Sequence, residues 1–273
     1  MEIQSAGLSD LGKKREINED SFFLNDRLHV YAVADGMGGH QAGEVASGIV
    51  AETVEMSMDD FASGRSPDPV ADADPSLSLE GNRLLAAIRA ANTRILESAQ
   101  GNPGRQGMGS TVAAVSLTDF AVISANVGDS PIFLVRNGAP RALSMTHTVL
   151  AELQAVAPER VQEIDQHYHH MLSRAVGVEA KVEPDVFETP HRAGDVVVLC
   201  SDGLSNKVTS DEMAQIVSQA SPQEACRVLV GLANGRGGDD NITVIVIKIG
   251  QSRSTGWGPL RFLARLLARF RDY

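Results

Sequence analysis

Cysteine is scarce in this chain of 273 residues, which has only Cys200 and Cys226. Two cysteines cannot build a disulfide framework, and Cys200 closes the apolar run VVVLC, where it reads as a small buried hydrophobe of a reducing compartment. Long hydrophobic stretches are missing as well. No run of about 18 apolar residues occurs, so no segment is expected to span a bilayer. The first residues, MEIQSAGLSDLGKK, have neither the apolar core nor the small-residue cleavage site of a signal peptide. Positive charge is in short supply: 24 Lys and Arg face 35 Asp and Glu, a net charge of -11. That balance argues against general nucleic-acid binding, which rests on neutralising phosphates. The shortage is uneven. Residues 251–273 hold five Arg and one Asp, so the other 250 residues carry -15. No internal repeat is visible. The remainder is ordinary: 43% hydrophobic and 22% charged residues exclude wholesale disorder, and the length suffices for a core without covalent staples.

Short β-rich runs are bounded by Gly, Asp, Asn or Pro: 21–24, 28–34, 110–117, 120–127, 131–136, 195–201 and 241–249. The turn Thr118-Asp119 and the pair Asn137-Gly138 predict tight antiparallel connections. Helical spacing is expected over 41–57, 80–99, 210–219 and 222–233, the last two after capping signals at Ser210 and Ser221. Strand clusters with helices between them predict an α+β domain of layered sheets covered by helices. Residues 58–80 read as an acidic loop and 250–258 as a linker.

Acids recur beside the strand ends. Asp35 and Gly36 follow LHVYAVA, Asp129 sits in the turn Gly128-Asp129-Ser130, Asp202 follows VVVLCS, Asp240 precedes NITVIVIKI, and Glu19 and Asp20 precede SFFL. Taken singly, each Asp-Gly is an ordinary turn former. If the last strand runs opposite to those ending at Asp35 and Asp202, three carboxylates meet at one sheet edge and raise each other's pKa. A hard cation such as Mg²⁺ or Mn²⁺ holds such a group together, and the fewness of nearby histidines weighs against zinc. Glycine after Asp35 would let the backbone turn sharply and present a carbonyl.

The ordered series Arg15-x-x-Asn-Glu-Asp20, AVADGMGGHQAGEVAS (32–47), GMGSTVAAV (107–115), ANVGDSPIFLVRNG (125–138), LSRAVG (172–177), DVVVLCSDGLSNKV (195–208) and DDNITVIVI (239–247) resembles the metal-dependent protein phosphatase family, protein phosphatase 2C, and most its bacterial members. The likeness spans roughly residues 5 to 249, and it is specific because the motifs are long and in the family's order. It implies a four-layer α-β-β-α sandwich with two central antiparallel sheets flanked by helices, and two Mn²⁺ or Mg²⁺ ions with room for a third. By the same match, Asp35 bridges the two ions, the Gly36 carbonyl binds one, and Asp202 and Asp240 complete the other. Glu19 and Asp20 hold waters, Asp129 and Asp202 take the looser third ion, and Arg15 binds the substrate phosphate. The implied activity is hydrolysis of phosphoserine and phosphothreonine on proteins by an activated water, with Arg15, Asp20 and Asp35 as the catalytic set. The implied setting is a cytoplasmic monomer, without nucleic acid, whose partners are phosphoproteins and a Ser/Thr protein kinase.

Three positions depart from the fullest family pattern. Met37 stands where many eukaryotic members carry a histidine proposed to protonate the leaving group, so a water serves there. His40 is near in sequence, which is not reach. Pro131 replaces the usual Arg after Gly-Asp-Ser, and Thr146 in LSMTHT takes an Asp position. Residues 147–171 are expected to form a flap, with the run Asp165-Gln-His-Tyr-His-His170 on its solvated surface. Neither cysteine sits in a Cys-x5-Arg loop, so neither reads as a nucleophile. The phosphatase domain is expected over 1–250, followed by a linker and basic amphipathic helix within 251–273. In that tail Arg261, Arg265 and Arg269 share a face opposite Leu260, Leu263, Leu267 and Phe270, which suits packing on the body, a peripheral membrane surface at the inner face or a protein partner. A non-catalytic phosphoprotein-binding regulator is the alternative function, and retention of all the acids weighs against it.

Overall fold

Successive residues along the central strands go to two different interiors. The structure, a computed structural model, describes residues 1–38, 42–66, 72–163, 165, 168 and 171–250. Its strands are β1 (Ile3–Asp10), β2 (Asp20–Asn25), β3 (Val30–Met37), β4 (Gly109–Ser110), β5 (Val112–Leu117), β6 (Ala121–Val127), β7 (Ile132–Arg136), β8 (Ala139–Ala142), β9 (Asp185–Pro190), β10 (Val196–Cys200) and β11 (Ile242–Ile249). The helices are α1 (Ala42–Ala62), α2 (Leu79–Ala99), α3 (Val149–Val156), α4 (Asp202–Ser205), α5 (Ser210–Gln219) and α6 (Pro222–Gly235). One sheet runs β1-β11-β10-β7-β8, the other β2-β3-β5-β6-β9 with β4 paired to β3, and the pairings are antiparallel.

The period of two along each strand sorts the side chains. In β10, Val197 and Leu199 meet Tyr31, Val33, Val115 and Ile245 between the sheets. Val196, Val198 and Cys200 turn the other way, toward Met213, Val217 and Leu229 of α5 and α6. In β3, Ala32 and Ala34 pack under Val50 and Val54 of α1 and Ile88 of α2. Strands covered on both faces need apolar residues throughout, which is why these read as continuous hydrophobic runs. The result is the expected four-layer α-β-β-α sandwich with helices flanking two antiparallel sheets.

Local chemistry fixes the helix starts. Ser78 accepts from the Gly81 amide at α2, and Ser221 caps α6 with Pro222 in its first turn. The cap of α5 is Thr209, in a reciprocal box with Glu212, so Ser210 is the first helical residue rather than the cap. Helix α1 runs five residues past the expected end, to Ala62, because Met58 is still buried against the core. Three strands had not been expected: β1, β8 and β9. All lie at sheet edges, where one side is open and polar residues are tolerated, so the apolar signal is weak.

Two expectations about β3 are corrected. The strand continues through Asp35 and Gly36 to Met37, so these residues lie in it rather than after it. Gly36 is therefore required by close approach, not by a sharp turn: a Cβ there would stand 2.0 Å from the Gly43 carbonyl oxygen at the start of α1. The 147–171 segment carries α3 and a short 3-10 stretch, Pro158–Glu163. His40, the histidines at 167, 169 and 170, and the whole 251–273 tail lie outside the described residues.

Candidate metal centre

Strand order brings the acids to one end of the sandwich. Asp202 leaves β10 and Asp240 enters β11, and because these neighbours are antiparallel both acids lie at the same end of the first sheet. Asp35 lies in β3, opposite Asp20 of β2, in the second sheet. The acids thus do not share the edge of a single sheet, as the sequence suggested. They meet across the gap between two sheets, in a cavity of about 830 Å³ lined by Arg15, Glu19, Asp35, Gly36, Asp129, Asp202 and Asp240. Asp20, 8% exposed, stands opposite Asp35 on the β2–β3 ladder and is not among the residues lining the cavity.

The backbone is held around Asp35 and Glu19. The Asp35 amide donates to Thr111 Oγ1 at 3.0 Å, and its carbonyl accepts from the Thr111 amide at 2.8 Å and from Ser110 Oγ at 3.0 Å. The Glu19 carbonyl accepts from the Gly36 amide at 3.0 Å. Asn241, which sequence reasoning missed, anchors the loop before β2. Its Oδ1 accepts from the Glu19 amide at 2.8 Å, and its Nδ2 donates to the carbonyls of Leu11 and Ile17 at 2.9 and 3.0 Å. That loop places Arg15, whose guanidinium reaches Asp240 Oδ2 at 2.7 Å from the cleft rim. Asn241 follows Asp240 directly, and that adjacency was the available signal.

The electrostatics are those of crowded anions. Burial, then the charges of Asp20, Asp202, Asp129 and Asp240, pushes the Asp35 carboxyl well above the usual range. Burial pushes Asp20 up to about 6, with Asp202 and Asp240 adding to it. Burial and Asp202 push Asp129 up to about 7. Asp20 Oδ2 accepts from Ser201 Oγ at 2.8 Å, while its buried Oδ1 has no hydrogen-bond partner among the described residues. An orphaned buried carboxylate oxygen, an all-oxygen donor set and mutually raised pKa values fit a hard divalent cation. No three of the described acids, histidines and cysteines already close around one point.

Other candidates fall into place around this centre. Met37 lines the same cavity, where a thioether cannot donate a proton. Cys200 is fully buried and its thiol is pushed far up by that burial, and Cys226 is pushed up to about 12, so both are inert. His147, the first residue of the expected flap, is buried between the Gly128 amide and Asp185. Its only sequence signal was its place in LSMTHT.

Comparison with known proteins gives a consistent picture. The profile described as protein phosphatase 2C matches residues 12–229. The serine/threonine phosphatase stp of Listeria innocua is 34% identical over 245 residues, covering 88% of this chain and 93% of that one. The crystal structure of the Mycobacterium tuberculosis serine/threonine phosphatase PstP/Ppp is similar with a TM-score of 0.77 and 31% identity, over 91% of this chain and 99% of the other. A catalytic domain of PstP in complex with two manganese ions matches with a TM-score of 0.76 and 32% identity, over the same shares.

Proposed function

Since the chain belongs to the protein phosphatase 2C family, and so is a metal-dependent serine/threonine phosphatase, we propose that its cleft works as a binuclear Mn²⁺ or Mg²⁺ centre hydrolysing phosphoserine and phosphothreonine on proteins. The observation that carries this reading is Asp35, set between the two sheets with four further carboxylates acting on it. In this reading Asp35 would bridge the ions, the Gly36 carbonyl would bind one, and Asp202 and Asp240 would complete the other. Glu19 and Asp20 would orient waters, and Asp129 with Asp202 would take a looser third ion. When bound, the ions supply an acidified water and positive charge for the phosphoryl oxygens.

The protein's own groups do the positioning. Arg15, half-exposed at the rim, offers a planar fork of donors that suits two phosphoryl oxygens. Ser201 Oγ and the Asp35–Asp20 register hold the Asp20 carboxylate beside Asp35. Met37 leaves protonation of the departing seryl or threonyl oxygen to solvent. Neither cysteine is available as a nucleophile, and the reading requires no covalent phospho-enzyme. The test is turnover of p-nitrophenyl phosphate and a phosphothreonine peptide by the full chain with Mn²⁺. We expect chelation to abolish both activities, and Arg15→Ala to lower kcat/KM by about tenfold to a hundredfold. Metal-independent hydrolysis would contradict the reading.

The same reading sets the wider context. A phosphatase of this type opposes a Ser/Thr protein kinase, and residues 1–250 form the catalytic unit, here taken as a monomer. Two free buried cysteines support a reducing, cytoplasmic setting, and no helix among the described residues is long and apolar enough to cross a membrane. The Arg-rich 251–273 segment supplies a docking element for a protein partner or an anionic membrane surface.

A further inference from the structure

The turn between β6 and β7 carries Asp129 and is gripped from both sides. On one side Ser130, fully buried, shares a hydrogen bond of 2.7 Å with Thr111 Oγ1, the same oxygen that accepts from the Asp35 amide at 3.0 Å. On the other side the Gly128 amide donates to His147 Nδ1 at 3.1 Å, and the Gly128 carbonyl accepts from the His147 amide at 3.0 Å and from Asn126 Nδ2 at 3.2 Å. Gly128 has φ +102, and a Cβ there would meet Thr111 Cγ2 at 2.6 Å, so neither the direction of its amide nor its place is free.

This geometry fixes the imidazole. A backbone amide only donates, so Nδ1 carries the lone pair and Nε2 the proton. Nε2 therefore donates to Asp185 Oδ2 at 2.8 Å. The other oxygen of Asp185 accepts from Arg174 Nη1 at 3.2 Å, and Arg174 lines the cleft. Its Nε lies 3.9 Å from Glu152 of α3. The ring thus joins the Asp129 turn to a wall of the cleft, and His147 itself does not line that cavity.

We propose that His147 is a positioning residue for Asp129: its Nδ1 fixes the Gly128 amide, and with it the direction of the Asp129 carboxylate, while Asp185 holds the ring in the one tautomer that can do so. The proposal rests on the reading of Asp129 as a ligand of the looser ion. A buried amide that loses its acceptor drives the turn to re-pair it, and Asp129 moves with the turn.

Two replacements separate the halves of the contact. In His147→Asn a side-chain oxygen stands near the place of Nδ1 and accepts from Gly128, with the Asp185 link lost. In His147→Gln the amide reaches toward Asp185 and leaves the Gly128 amide without an acceptor. Calorimetric titration of the full chain with Mn²⁺, beside the Mn²⁺ concentration for half-maximal p-nitrophenyl phosphate hydrolysis, reads the outcome. For His147→Gln we expect the weakest Mn²⁺ site to lose about tenfold in affinity or more, and for His147→Asn a loss of under about threefold, with the tight sites unchanged in both. Equal losses in the two variants, tracking their thermal unfolding temperatures, would mean a packing role only and overturn the proposal. Asp129→Asn separates the premise: an unchanged weak site there overturns the reading of Asp129 itself. The unmutated protein supplies an independent check, in which a Mg²⁺ titration followed by ¹⁵N NMR should shift the Gly128 amide and the His147 Nδ1 resonances together at weak-site concentrations. Immobile resonances would also overturn the proposal.

Discussion

Two aspartates at opposite ends of the sandwich are almost equally hidden from water. Asp195, 2% exposed, precedes β10 at the end away from the cleft, and Asp20, 8% exposed, lies at the cleft end, opposite Asp35 on the neighbouring strand. Their company differs. Asp195 accepts from Arg136 Nε and Nη2 at 2.9 and 2.6 Å and from the Arg192 amide at 2.7 Å. Asp20 accepts from the Ser201 hydroxyl on Oδ2, among the described residues has no hydrogen-bond partner on Oδ1 and meets no cation comparable to Arg136, and acts with three further acids on Asp35. A buried carboxylate that the protein neutralises is there for the fold. One that the protein leaves uncompensated, among others like it, calls for charge from outside.

The sharpest way to break that contrast is at Asp35. Asp35→Asn should lower Mn²⁺-dependent kcat by about a thousandfold, since it removes the central charge of the donor set. Its thermal unfolding without metal should be unchanged or higher, because a carboxylate crowded by four others is relieved. A variant that keeps near-normal turnover would remove the distinction between the two ends. The complementary change is Arg136→Ala at the other end. It strands the Asp195 carboxylate, so urea unfolding should report a loss of about 3 kcal/mol, while the Mn²⁺ dependence of turnover stays as it was.

The smallest expected effect is in protons. Asp20 and Asp129 sit at about 6 and about 7 in the folded, metal-free chain, above the value of about 4 for an unfolded aspartate. The folded state therefore binds more protons, and the stability these groups contribute is full below about pH 4 and lost as pH rises through their folded values. Metal binding needs both carboxylates ionised, so Mn²⁺ uptake should release more protons at about pH 6 than at about pH 8. Calorimetry in two buffers of different ionisation enthalpy measures this directly. Equal release at both values would place the carboxylates' charge balance elsewhere.

The same contrast explains what could be read from the chain. Strands covered on both faces, such as VVVLC and ITVIVIKI, announce themselves because they must be apolar throughout, and the acids at their ends were visible by position. The family resemblance then supplied the role of each acid. What stayed hidden depends on contacts distant in sequence. Asn241 lies beside Asp240, but its work is to hold carbonyls of Leu11 and Ile17 more than 200 residues away. Asp185 and His147 are 38 residues apart and meet only because β9 pairs with β6. The placement of Asp35 in one sheet and Asp202 in the other was likewise set by packing, which strand periodicity does not encode.

Anomalous scattering from crystals of the full chain grown with Mn²⁺ tests the central claim most directly. The account predicts two strong manganese peaks between the sheets, with Asp35 touching both. A map with Asp35 in contact with no metal, recorded from protein that hydrolyses phosphothreonine, would contradict it.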